Sequence, residues 1–99
     1  GPEVYLPLFF HLCYMYGVWI DQLTARYLAK ATLNKFRQAN GYSEKPRTYV
    51  KNWKFTNGQS GEDNKFLADW VDAEYEGGRV VDEEEVYTWL TRTYSMIVR

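Results

Sequence analysis

Lys30, Asn34 and Arg37 are the residues whose types and spacing point most directly to chemistry. At about 100° per residue on a helix they fall within roughly 60° of one another, with Arg26 close beside them. An ammonium, an amide and a guanidinium on one face form a donor surface for an anion, and phosphate oxygens accept several charge-assisted hydrogen bonds at once. Helical cations are usually balanced by carboxylates one turn away. This face carries none, so the sequence predicts cations left uncompensated. Downstream, Tyr42, Tyr49, Trp53 and Phe55 interleave with Lys45, Arg47, Lys51 and Lys54 across a segment without helical periodicity, from Gly41 to Glu62. A loop of about twenty residues is uncommon in a compact domain and is usually functional or disordered. Disordered segments are poor in aromatics, so this one is expected to order over a ligand, with Tyr49 to Trp53 as a short extended piece. Single-stranded nucleic acid also uses basic residues interleaved with rings, and spacing alone does not separate it from a phosphorylated small molecule.

The elements that must hold these groups read as four helices and a long ordered loop, an all-α architecture. Pro7 suits a first turn and Gly17 a C-terminal stop, which predicts one helix through the apolar run to Tyr16. Asp21 as a cap and Ala25, Leu28, Ala29, Leu33 and Phe36 as an apolar stripe predict a second, ending at Gly41. Lys30, Asn34 and Arg37 lie beside that stripe, so Arg37→Ala is expected to weaken triphosphate binding far more than it alters folding. A third helix is capped by Asp63 or Asn64 and carries Phe66, Leu67, Trp70, Val71 and Tyr75 to Gly77-Gly78. Asp82 with Glu85 forms a D-x-x-E capping pattern before a fourth, with Val86, Trp89, Leu90, Thr93 and Ile97. No repeat and no sustained heptad seam is expected.

Gly1-Pro2 resembles the remnant of a removed purification tag, so the domain is taken as residues 3–99. Those residues suffice for one core, with little margin. The chain is 45% hydrophobic and 18% aromatic, with four Trp, nine Tyr and five Phe, rings that dominate cores and interfaces. A net charge of -1 gives no global field for nucleic acid. The single cysteine, Cys13, excludes an internal disulfide framework and reads as a buried, inert thiol in a reducing, cytoplasmic setting. Residues 4–20 are almost wholly apolar, but Pro7, the Tyr hydroxyls and the lack of a basic flank favour a helix buried on all sides, or against a partner, over a membrane span. His11 on this segment reads as a satisfied core histidine.

Taken together, Lys30-x-x-Leu33-Asn34-x-x-Arg37-Gln38-x-x-Gly41-Tyr42, Tyr49-x-Lys51-x-Trp53 and Gly61-Glu62-Asp63-Asn64 resemble the C-terminal motifs of the dimeric all-α dUTP pyrophosphatases. The resemblance covers roughly residues 10–98. It implies an all-α nucleotide pyrophosphohydrolase-like fold and a deoxynucleotide ligand, dUTP or dUDP. By it, Lys30, Arg37, Tyr42 and Lys51 would contact the phosphates and Asn34 the deoxyribose, while Tyr49 and the turn holding Asn64 would shape the closing loop. The family hydrolyses dUTP to dUMP and pyrophosphate with Mg²⁺ held by E-x-x-E and E-x-x-D pairs on earlier helices. Neither pair is recognisable here. Asp69, Asp72, Glu74 and Glu76, and Asp82 to Glu85, read instead as solvated faces or a helix cap. The turn from Ser43 to Arg47 is also longer than the family's and lacks its glycine. The resemblance therefore implies a grip on the nucleotide without catalytic residues. The chain reads as the C-terminal part of a dUTP pyrophosphatase-like protein, whose Mg²⁺ ligands would come from a missing N-terminal region, a homodimer partner or a complementing chain, and neither a membrane nor nucleic acid is an expected partner. A non-catalytic nucleotide-sequestering or regulatory protein is the first alternative, and a single-stranded nucleic-acid-binding module ranks after it.

Overall fold

The structure, a computed structural model, describes residues 2–99, leaving aside the side chains of Pro2 and Val4. Gly1 of the expected tag remnant lies outside that span. The chain is predominantly helical, in the order α1 (Pro2–Ala39), β1 (Asn52–Lys54), β2 (Ser60–Glu62), α2 (Asp63–Glu76) and α3 (Glu83–Ser95). Three helices stand among the described residues where the sequence predicts four, because the first two expected helices are one helix of 38 residues. Gly17 keeps a negative φ, with Gly41, Gly58 and Gly78 the glycines at positive φ among the described residues. A lone glycine inside a helix costs only about 1 kcal/mol, too little to stop α1. The real stop is Gly41, at φ +89°, where the Tyr42 N–H donates to the Arg37 carbonyl at 3.0 Å as a Schellman-type cap. A Cβ at Gly41 would lie 1.8 Å from Thr48 Oγ1, so both the backbone conformation and the close approach require glycine.

The core sits at the C-terminal half of α1. Ala25, Ala29, Leu33 and Phe36 face Leu67 and Val71 of α2 and Val86 and Leu90 of α3. The 41–62 segment is ordered by joining this core. Trp53 is fully buried, donates Nε1–H to the Val50 carbonyl at 2.9 Å, and lies against Phe66, Trp89 and Tyr94. Tyr49 stacks on Tyr94 with ring centroids 5.1 Å apart. The extended piece expected over Tyr49 to Trp53 is a strand only from Asn52, running to Lys54: β1 pairs antiparallel with β2, Trp53 opposite Gly61. Its rings serve packing, since burying large aromatic surfaces stabilises a small domain more than any other side-chain class.

Helix ends α2 and α3 show how local signals compete. Asp82 caps α3 by accepting from the Glu85 N–H at 2.8 Å, as its pattern predicts, but the Glu85 carboxylate binds Arg79 instead of closing a capping box. The N-cap of α2 is Glu62, without a side-chain cap bond, because Asp63 already stands in the first turn with its carboxylate committed elsewhere. Gly77 and Gly78 end that helix as expected.

The N-terminal half of α1 projects from the body, which makes the molecule 66 Å long and 19 Å across its narrowest dimension. Its apolar side chains are exposed within this chain, and Cys13 and His11 are exposed too, contrary to the buried thiol and core histidine predicted. Those predictions fail because α2 and α3 extend back along α1 only as far as the Tyr75 hydroxyl, which donates to the Val18 carbonyl at 3.0 Å. No helix among the described residues is long and apolar enough to cross a membrane.

Candidate functional site

Two of the three cations on this face of α1, Arg26 and Arg37, are paired, and Lys30 is not. The partner carboxylates come from α2, 26 and 46 residues along the chain. Arg37 donates through Nε and Nη2 to both oxygens of Asp63 at 2.9 and 2.7 Å, and the Tyr49 hydroxyl donates to the same carboxylate at 2.6 Å. Asp63 also accepts from the Asn64 N–H at 2.6 Å. With Asp63 at 0%, Tyr49 at 4% and Arg37 at 6% exposure, this is a buried network. Arg37 is therefore buried with the fold, which removes the premise, a stripe lying clear of the packed face, on which Arg37→Ala was expected to spare folding. Arg26 makes a second forked pair, with Asp72, at the surface, and Lys35 pairs with Glu83. The acidic residues of α2 and α3 thus include ion-pair partners where solvated faces are expected.

Electrostatics follow the geometry. Burial pushes the Asp63 carboxyl up, but the Arg37 fork and the Tyr49 hydroxyl outweigh it and hold the group below the usual carboxylate range. Burial, reinforced by the bond to Asp63, pushes the Tyr49 phenol far above its ordinary value, so it remains a donor. The bond to Asp63 raises Arg37 despite burial. At the surface, the bond from Arg26 lowers Asp72 and raises Arg26 in return.

Around this network the sequence-predicted residues fall into two groups. Arg37, Tyr42 and Tyr49 come together: the Arg37 guanidinium carbon lies 5.2 Å from the centre of the Tyr42 ring, itself 5.8 Å from Tyr49. Tyr42 is sandwiched further by Arg47 at 3.9 Å. Lys51 is half-buried, and its carbonyl accepts from the Asp63 N–H at 3.0 Å, which anchors β1 to the start of α2. Lys30 and Asn64 line a separate cleft of about 260 Å³ between α1 and α2, with Arg26 at its edge and Ala29, Leu67, Ala68 and Val71 as its floor. Asn34 is exposed on α1, one turn beyond Lys30 and outside the cleft lining.

What remains available to a ligand is narrower than the sequence suggests. Among the described residues Lys30 has no carboxylate partner, and its ammonium is free to meet an anion. Every sealed-in side-chain nitrogen or oxygen there has a hydrogen-bond partner. Nη1 of Arg37 makes none, so it is the edge of the guanidinium that reaches the surface. Asp63 was missed as the organiser of the site because its partner is 26 residues away and no local pattern signals it. The Glu62-Asp63-Asn64 turn of the resemblance was the available clue.

Among the described residues no three His, Cys, Asp or Glu side chains converge to hold a metal ion. The donors gathered here do not fit the Mg²⁺ site that the resemblance implies, and no chemical step is routed through one. Compared with known protein families, with curated proteins and with solved structures, the chain finds no match.

Proposed function

We propose that this chain binds the phosphate chain of a nucleotide at the α1–α2 cleft, dUTP being the ligand suggested by its resemblance to the all-α dUTP pyrophosphatases. The observation that carries this reading is the unpaired Lys30 beside Asn64 in that cleft, on the same face of one helix as the exposed Asn34, with the guanidinium of Arg37, pinned by Asp63, two turns further along and outside the cleft lining. A cation whose orientation is already fixed loses little freedom when it meets an anion, so pre-organisation favours affinity. Lys30 supplies a point charge for the phosphates, Asn64 a neutral donor, and the small apolar floor at Ala29 and Ala68 leaves room for a sugar. By the resemblance, Tyr42 and Lys51 would add contacts to the phosphates from the loop, although neither lines the cleft itself. Hydrolysis of the bound nucleotide would require metal-binding carboxylates from beyond the residues gathered here.

Isothermal titration of the intact chain with dUTP, a nonhydrolysable analogue and inorganic triphosphate, each with and without Mg²⁺, tests the reading. Saturable binding of all three is expected, weakened at least about tenfold in Lys30→Ala, a loss of about 1.4 kcal/mol, with an unchanged melting curve. Binding that ignores Mg²⁺ and releases no pyrophosphate identifies a sequestering protein. No binding, or displacement of the nucleotide by oligonucleotides with steep salt dependence, removes the proposal.

A further inference from the structure

A groove runs along α3, bounded by α2 at one end and by the turn between β1 and β2 at the other, and it shares no lining residue with the phosphate cleft. It consists of two cavities of about 400 Å³ each that meet at Trp89, which lines both. In the first, Trp89 stacks on Trp70 with ring centroids 5.0 Å apart. In the second, Phe55 and Phe66 meet edge to face at 5.0 Å, with Met96 beside them. The fully buried Trp53 joins the two ring pairs, 6.2 Å from both Trp89 and Phe66, so the domain's own core holds the aromatic wall in place. One side chain is left open within it. Thr93 is buried, at 7% exposure, yet its hydroxyl makes no hydrogen bond among the described residues, whereas Thr24, Thr32 and Thr91 each donate to the carbonyl one turn back. Since no sealed-in side-chain oxygen there lacks a partner, the Thr93 hydroxyl opens into the cavity it lines. A buried polar group without a partner calls for one from outside.

We infer that this groove binds an extended peptide segment of a partner protein, with a Lys or Arg side chain between Glu84 and the Trp70–Trp89 pair and an apolar side chain among Phe55, Phe66 and Met96. Charge selects the first of these. Glu74, Asp82, Glu84 and Glu85 line the first cavity against a single cation, Arg92. The chain already sets one guanidinium on these carboxylates, for Arg79 donates to both Glu74 and Glu85. Glu84 makes no ion pair among the described residues and is open to another cation, which the adjoining indoles also attract. Length selects a peptide over a small organic cation. Glu84 and Met96 are twelve positions apart, about 18 Å along the helix, a span that an extended strand covers in about five to six residues. The Thr93 hydroxyl lies between the two ends and takes a main-chain amide of the segment, main-chain bonds supplying affinity and the end pockets specificity.

Selection of a displayed random-peptide library on the full chain is expected to enrich sequences with a Lys or Arg about four to five positions from a large apolar residue. An enriched peptide, synthesised with a fluorescent label and followed by anisotropy, should bind at least about tenfold more weakly to Glu84→Lys, which sets like charges together at an exposed position. Thr93→Val should weaken it about three- to tenfold through one lost hydrogen bond, while Thr93→Ser restores it. Melting curves of Glu84→Lys and Thr93→Ser should match the parent, and Lys30→Ala, in the other cleft, should leave peptide affinity unchanged. No enrichment, or enrichment of sequences without a basic residue, overturns the proposal. So does affinity that ignores both Glu84→Lys and Thr93→Val, or displacement of the peptide by an equal concentration of agmatine, which would mark a site for a small cation instead.

Discussion

Replacing Asp63 by alanine should come close to unfolding this protein, although the residue lies at the start of a helix and belongs to no apolar stripe. The carboxylate accepts from Arg37, from the Tyr49 hydroxyl and from the Asn64 N–H. Without it a guanidinium at 6% exposure and a phenol at 4% exposure are left buried without their acceptor. Stranding one member of a buried ion pair costs about 3–5 kcal/mol, against a total of about 5–15 kcal/mol for a domain of this size. At about 4–8 °C per kcal/mol, Asp63→Ala should lower Tm by at least about 12 °C, measured by far-ultraviolet circular dichroism with urea titration as the check. Arg37→Ala should fall similarly. Removing both charges with shape-matched apolar groups, Arg37→Met with Asp63→Leu, should melt above either single variant, since it strands no charge. A loss below about 4 °C for Asp63→Ala, or a double variant no better than the worse single one, would refute the view that this pair is a buried structural unit.

Gly17→Ala should stabilise the projecting half of α1 by about 0.8–1 kcal/mol, because the added methyl meets nothing within 4 Å. Amide exchange slowed several-fold between residues 12 and 22 is the expected readout, and faster exchange would mean that the helix needs a flexible joint there. Stability should also depend on pH in a defined way. Asp63 and Asp72 are held below the usual carboxylate range, so the unfolded chain takes up protons first as pH falls; Tm should be flat at neutral pH and drop below about pH 4. Tyr49 is raised, so its unfolded phenol ionises first and Tm should decline again above about pH 10. In Asp63→Ala the acid limb should be shallower, and an identical limb would remove Asp63 from the account.

The all-α class, the apolar stripes of α2 and α3, the Asp82 cap and the extended piece around Trp53 were legible because each rests on a local period or a cap within a few residues. The register of Lys30, Asn34 and Arg37 on one face was legible for the same reason. The meaning of that face was not. Its counter-charges, Asp63 and Asp72, reach it only after the chain has passed through the 41–62 segment, and no short-range pattern announces a pairing of that length. Gly17 misled in the opposite sense, since a residue that often ends helices can sit inside one at small cost. The aromatics of the loop were recognised as ordering but assigned to a ligand, whereas Trp53 and Tyr49 complete the domain's own core.

The continuity of α1 also makes it a ruler. The exposed apolar line of Tyr5, Phe9, Leu12, Tyr16, Trp19 and Leu23 and the cationic stripe from Arg26 to Arg37 are cut into one rod, so residue count fixes both their separation and their relative rotation. Lys30 stands seven positions beyond Leu23, about 10 Å at 1.5 Å per residue. A single residue inserted between Leu23 and Arg26 would turn the stripe by about 100° against the apolar line, leaving both surfaces intact and only their mutual aim changed.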